Sequence, residues 1–575
     1  MKKIAPLYFD RHNTKKRFGL ALLTALLFLA LSACSGTAPP PSDGDSDFPI
    51  PPSIDGTVQM VDFEISSTLE NSHKYEYSEF NLGDAVYITP QNREVPYKVR
   101  GTIAAPDGAG PFPLVFIVHG AHEEEDESVR FDTGFDYLVK ALAQNGYVAV
   151  SIDAVMPYIQ RYGGNDDYIE KMLVIAEDHL RGLLAAHDGE SLYPVNLKGK
   201  IDFEKTALLG HSRSGAAVFQ LAKEAKRLGL DVGAILSLAP SADLWAEFTN
   251  VPTAFLVPQY DGDVIQLDGV YMYDFMENAT RCDHSITVLI GANHNFFNRN
   301  LQRDDSVARN MESSRIPLLR HAQEDFLINF AAGFFAASFE SADKFYSASS
   351  PQPNKMYGCD IIRQFRLLSP VNLIDTATCE NFSSETAGVA NVTDSFFYKD
   401  DEVLINTVTT SVLKTILDGT RDKESAIEYV ALNRNLIKIE WAQVNSSVLV
   451  MPQVANFKGK SAMSINLIPD SASELNVGGQ ALTFTVALCD MAGTVAKVKT
   501  AADQNVLSVY PGSLQKTVLS DDFAIEYWEP ATPLGMLHIP LSYFAGVDLE
   551  NIEYMELIFD GSEKGAIFIA SWQLQ

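Results

Sequence analysis

Positive charge is scarce in this 575-residue chain: 44 Lys and Arg stand against 74 Asp and Glu, a net charge of −30. That excludes nucleic acid as an expected partner, because a phosphate backbone is met by a basic surface. The acidic excess reads as a solvated surface that keeps the chain soluble. Cysteine is also scarce. There are five, none in a C-x-x-C pair, so structural zinc is not expected. Four of them, Cys282, Cys359, Cys379 and Cys489, lie in the body of the chain. Cys359 and Cys379 are close enough in sequence to pair if the chain is exported. Beyond the first 33 residues no apolar run is long enough to span a bilayer.

What is present begins with the N-terminus. Lys2, Lys3, Arg11, Lys15, Lys16 and Arg17 precede an apolar run from Phe18 to Ala33. The run is short for a membrane span and suits the apolar part of a signal peptide. It ends in "LSAC", Leu31 to Cys34, which resembles a bacterial lipobox. That resemblance implies lipidation at Cys34, and Ser35 after it implies the outer membrane where a cell has one. The anchor would hold the body at the membrane. A plain signal peptide is the alternative. Residues 34–56 are rich in Pro, Ser, Gly and Asp and read as a tether.

A chain this long needs more than one core. With 46% hydrophobic and 21% charged residues it has the composition of a folded protein. From 57 to 345 strand-like runs alternate with helical ones. "PLVFIVHG" is continuously apolar, as a strand covered on both faces should be. "DDYIEKMLVIAEDHLRGLLAAH" has helical periodicity. The alternation predicts an α/β domain with a doubly wound, mostly parallel sheet. A polar, Pro-containing linker is placed at 346–360. From 361 to 575 short strand-like runs such as "LTFTVALCD" and "AIFIASWQL" predict an all-β sandwich. Residues 360–430 read less clearly, with room for some helix.

The stretch "LLGHSRSG", 208–215, raises the chemistry. G-x-S followed two residues later by a small residue is expected about once by chance in a chain of this length. Its context is more specific. "TALLG" is a strand, and "AAVFQLAKEAKRLGL" is a helix, so Ser212 falls on a sharp strand-to-helix turn. A serine there needs a base, and the base an orienting acid, both beyond strand ends and in the order Ser, acid, His. "VPQYDGDV" supplies Asp261, with Asp263 as the alternative acid. "GANHNFFN" supplies His294. His284 lies at the wrong end of its strand, His321 sits in a helix, and His211 reads as a packing residue. Two N–H donors for an oxyanion are expected from the backbones of Arg213 and Ala121, with His122 next to the latter. The acidic run Glu123–Glu127 reads as a solvated loop; calcium there is the weaker reading. No metal and no cofactor are expected.

"FIVHGAH", "LAQNGYVAVSID", "GHSRSG", "VPQYDGDV" and "GANHNFFN", in this order, resemble the α/β-hydrolase superfamily. They are most similar to its dienelactone-hydrolase and cutinase-like polyester hydrolase branch. The resemblance covers roughly 85 to 340. It implies a Ser-His-Asp triad of Ser212, His294 and Asp261, and a carboxylic ester as substrate. Two departures stand out. Ser214 replaces the usual glycine, and the loop after "FIVHG" lacks the aromatic residue of polyester hydrolases. The region around "FTVALCDMAGTVAKV" and "HIPLSYFAGVDLENIEYMELIFDG" resembles jelly-roll modules related to carbohydrate-binding domains. A glycan is therefore a candidate partner, with Trp441, Trp528 and Trp572 either a sugar platform or, the commoner case, buried. The expectation is an exported, lipid-anchored serine esterase. The alternatives are an esterase for acylated polysaccharides, or a surface-binding lipoprotein whose hydrolase domain is inactive.

Overall fold

The computed structural model describes residues 53–54, 56–122, 128–162, 168–241, 248–264, 267–279, 282–306, 317–340, 349–366, 370–383, 391–396, 435–470, 473–510 and 534–575. The signal-peptide and tether residues up to 52, with Cys34, lie outside this set, as do the acidic run Glu123–Glu127 and Trp528. The chain is mixed α/β, with large sheets and few helices. Among the described residues no helix is long and apolar enough to cross a membrane.

Among the described residues the largest sheet has eleven strands. In chain order they are β1 Glu64–Ile65, β2 Tyr75–Ile88, β3 Glu94–Pro106, β4 Phe112–Val118, β5 Val148–Ile152, β6 Ile201–His211, β7 Val232–Leu238, β8 Thr253–Pro258, β9 His284–Leu289, β10 Lys355–Met356 and β11 Cys359–Arg366. Across the sheet the order is β1-β10-β11-β9-β8-β7-β6-β4-β5-β3-β2. The six strands from β5 to β9 in that order are mutually parallel; β3 and β11 join them antiparallel on either side, and β1 pairs parallel with β10 at the outer edge.

Among the described residues five α-helices cover the sheet: α1 Asp136–Gln144, α2 Tyr168–Asp188, α3 Arg213–Arg227, α4 Asp268–Ala279 and α5 Arg320–Glu340. The alternation within β4 shows how. Leu114, Phe116 and Val118 pack in one core with α2, α3 and α4, while Val115 and Ile117 pack in another with α1 and α5. A strand covered on both faces has no place for polar residues, which explains its unbroken apolar sequence. Each buried Phe or Leu stabilises the fold by roughly 1.5–3 kcal/mol. The chain passes from β4 to β5 on one side and returns to β6 on the other. The carboxyl ends of β4 and β6 therefore flank a topological switch point, where such sheets open a crevice.

The remaining strands form two sheets around one apolar core. One sheet contributes Ile439, Ile465 and Ile567 and the other Val448, Leu488 and Leu557. Two boundaries differ from the sequence reading. Thr57–Gln59 pairs parallel with Val495–Lys499, and Val58 and Met60 are buried in the C-terminal core. The large sheet keeps the chain as far as Arg366, because β11 pairs along β9. It buries Ile361, Ile362 and Phe365. Lys355–Met356 and residues 359–360, read as linker, and residues 361–366, read as sandwich, are thus strands of the large sheet. Cys359 and Cys379 form no disulfide. Trp441 and Trp572 are buried, the first stacked on Phe559 at 4.0 Å, so neither forms a sugar platform.

Candidate active site

At the end of β6 the chain must turn at once into α3. Ser212 makes that turn with φ 58° and ψ −128°. A non-glycine residue in such a conformation costs of order 1–3 kcal/mol and persists only where its surroundings hold it. The holding bonds are local: Ser212 N–H donates to Leu238 O at 3.0 Å, while Gly215 N–H and Ser241 N–H donate to Ser212 O at 2.8 and 3.1 Å. The glycines nearby are there for space. A Cβ on Gly210 would lie 2.1 Å from the carbonyl oxygen of Ser214, and one on Gly120 would lie 2.4 Å from Ser212 Cβ. The second contact brings the loop after β4 directly against the serine.

The acid and the histidine come from the loops after β8 and β9. His294 Nδ1 donates to Asp261 Oδ2 at 2.9 Å, with both side chains buried. The other oxygen of Asp261 accepts from the backbone N–H of Asp263 at 3.0 Å and of Val264 at 2.6 Å. Asp263 occupies a different place. It is half-exposed, and its carboxylate lies 3.4 Å from His294 Nε2 rather than beside Nδ1. Of the two candidate acids, Asp261 is thus the one positioned to orient the ring. Among the described residues Nε2 has no hydrogen-bond partner, so Ser212 Oγ and His294 are not hydrogen-bonded to each other. Such bonds are commonly long before substrate binds. Burial pulls the His294 pKa down. The Asp261 carboxylate, helped by Asp263 and Asp305, outweighs it and raises the value to about 9.

Asp305 is a further residue of the candidate site, one that sequence reasoning missed. Its carboxylate accepts from the backbone N–H of Gly262 at 2.7 Å, His294 at 3.1 Å and Asn295 at 2.9 Å. One side chain thereby ties the acid loop to the histidine loop. Burial and the nearby Asp261 charge raise its pKa to about 6. No strand or motif marks it; the only signal was an acidic pair, Asp304 and Asp305, shortly after the histidine.

The two expected oxyanion donors belong to the residue after the serine and to the loop that packs against it. Arg213 is the first residue of α3, so its N–H is at the positive end of the helix dipole. Its side chain turns away over the Tyr168 ring, 5.6 Å from the centroid. Ala121 follows Gly120, the residue in contact with Ser212. The His119 ring fixes this loop. Its Nε2 accepts from Ala154 N–H at 2.8 Å, which leaves the proton on Nδ1 to be donated to Gly120 O at 2.8 Å. His122 and His211 line the same place. The His211 ring is 4.7 Å from that of His294 and 5.0 Å from that of His122. Burial pushes both well below the usual imidazole range, so both are neutral. Among the described residues no group of three or more His, Cys, Asp or Glu side chains is arranged to hold a metal ion.

Compared with known proteins, the sequence matches no protein-family model and no curated protein.

Proposed function

We propose that the chain is a serine hydrolase of the α/β-hydrolase kind, and more narrowly a carboxylic ester hydrolase. One observation carries this reading. A serine is held in a strained turn between a parallel strand and a helix, with a buried histidine–aspartate pair at the same carboxyl edge of the sheet. Ser212 Oγ attacks the acyl carbon, and its proton passes to His294 Nε2. Asp261 stabilises the imidazolium through Nδ1. The N–H groups of Arg213 and Ala121 receive the charge that develops on the carbonyl oxygen. The tetrahedral intermediate collapses as His294 returns the proton to the leaving alcohol, leaving an acyl-Ser212 ester. Water, deprotonated by His294, then attacks that ester and regenerates the serine. The reaction so written needs no cofactor.

Export and lipid anchoring at Cys34 belong to the same proposal and rest on the basic, apolar and "LSAC" segments. The C-terminal sheets are proposed to be a jelly-roll module. Its role as a glycan reader, and with it an esterase for acylated polysaccharides, loses the support of Trp441 and Trp572. The second reading is a surface-binding lipoprotein with an inactive hydrolase domain. It draws on the Asp263 carboxylate at His294 Nε2 and on the unmade Ser212–His294 bond. Hydrolysis of p-nitrophenyl acetate by the wild type and by Ser212→Ala separates the two. The enzyme reading expects turnover that the substitution abolishes. No turnover, or turnover indifferent to it, leaves the inactive-domain reading standing.

A further inference from the structure

Ser214 is the residue by which this turn departs from the usual glycine, and its surroundings give it a specific task. The side chain is wholly buried. Its Oγ lies 2.6 Å from the carbonyl oxygen of His119 and 3.1 Å from the hydroxyl of Tyr158. The direction of each bond follows from chemistry. A carbonyl only accepts, so the Ser214 hydroxyl proton goes to His119 O. Ser214 Oγ is then an acceptor, and Tyr158 must be its donor. Burial raises the Tyr158 pKa to about 12, so its hydroxyl keeps that proton. The result is a directed chain, Tyr158 O–H to Ser214 O–H to His119 C=O.

The chain ends on the peptide that leads into the proposed oxyanion loop. Ser214 holds the carbonyl of His119, and the His119 ring holds the carbonyl of Gly120. A peptide unit is planar, so fixing the Gly120 carbonyl also fixes the direction of the Ala121 N–H on the opposite side of that plane. Neither carbonyl is left to rotate. We infer that Ser214 is a positioning residue. Its hydroxyl couples the first turn of α3, which carries the Arg213 donor, to the β4 loop, which carries the Ala121 donor, and so sets the spacing of the oxyanion hole. A glycine at 214 leaves the two halves in van der Waals contact but unbonded. This inference rests on the serine-hydrolase reading.

The test compares Ser214→Ala, Ser214→Gly and Tyr158→Phe with the wild type, reading kcat and KM for p-nitrophenyl acetate, the rate of fluorophosphonate capture and the thermal midpoint. If the hydroxyl is what counts, the alanine and glycine variants both lose about tenfold in kcat. That is less than the 10²–10³ expected for deleting an oxyanion donor outright. KM stays within about twofold. Fluorophosphonate capture slows in parallel, since it develops charge in the same hole. Tyr158→Phe shows a smaller loss in the same direction. If Ser214 only fills space, the alanine variant keeps full kcat and the glycine variant only lowers the melting point, and the inference is overturned. Where neither Ser214 variant folds, an unchanged kcat in Tyr158→Phe overturns it equally. Absence of turnover in the wild type is a separate result that defeats the hydrolase reading beneath it.

Discussion

The carboxyl edge of the large sheet and the core of the C-terminal sheets are both buried, but they bury different things. The C-terminal core is apolar and relaxed. Trp441 stacks on Phe559 and gives its indole N–H to Ser562 O at 3.0 Å. The only described non-glycine residue there with positive φ is Asn445, a type that tolerates the left-handed region in a turn. At the edge of the large sheet, positive φ falls instead on Ser212 and Ala239, for which no turn chemistry compensates. Buried with them are His119, His211, His294, Asp261 and Asp305, with His122 partly buried beside them. The C-terminal core serves stability. The sheet edge carries strain and desolvated charge, the combination on which the proposed active site rests.

The comparison predicts that substitutions in the two regions separate activity from stability. The largest effect is Ser212→Ala, with ester turnover down by at least about 10³-fold. The melting point hardly moves, because alanine keeps the same Cβ in the same turn. Asp305→Ala strands three backbone amides. It is expected to cost about 1–3 kcal/mol in urea unfolding and to lower kcat by roughly tenfold or more through a loosened His294. Trp441→Ala is the mirror case, costing about 3–5 kcal/mol of stability while kcat per folded molecule stays unchanged. A kcat that falls with Trp441→Ala would break the separation.

The smallest effect is in the pH profile. His294 acts as a base only when Nε2 is unprotonated. With its pKa raised to about 9, kcat/KM should climb with pH until that range. Asp263→Asn removes one of the carboxylates that favour the charged ring, so the climb should move to lower pH, with Asp261 still in place. The same shift has a stability side. The imidazolium is favoured in the folded state, so its contribution is full below the ordinary histidine pKa of 6.5 and fades as pH rises through about 9. Urea midpoints of wild type and Asp263→Asn across that range measure it.

Much of the sheet was legible because burial on both faces leaves an unambiguous mark. "TALLG", "VPTAFLVPQ" and "SITVLI" mark β6, β8 and β9, and the residues after them are where Ser212, Asp261 and His294 sit. Edges were harder. "CDIIRQFR" carries charged residues among apolar ones and reads equally as a strand of either region; only its pairing with β9 decides. Thr57–Gln59 is a three-residue strand whose partner lies more than 400 residues away, and no local pattern announces that. Asp305 was invisible because its role is to accept backbone N–H bonds, and such a role leaves no periodicity. Ser214 was visible as an anomaly, but its meaning lay in the positions of His119 and Tyr158.

The central claim is that Ser212 is a nucleophile activated by His294 and Asp261. Fluorophosphonate treatment of the full chain, followed by peptide mass analysis, tests it most directly. A single stoichiometric adduct on Ser212 is expected, formed far more slowly in His294→Ala. An adduct on another residue, no adduct at all, or labelling of Ser212 at the same rate without His294 would contradict it.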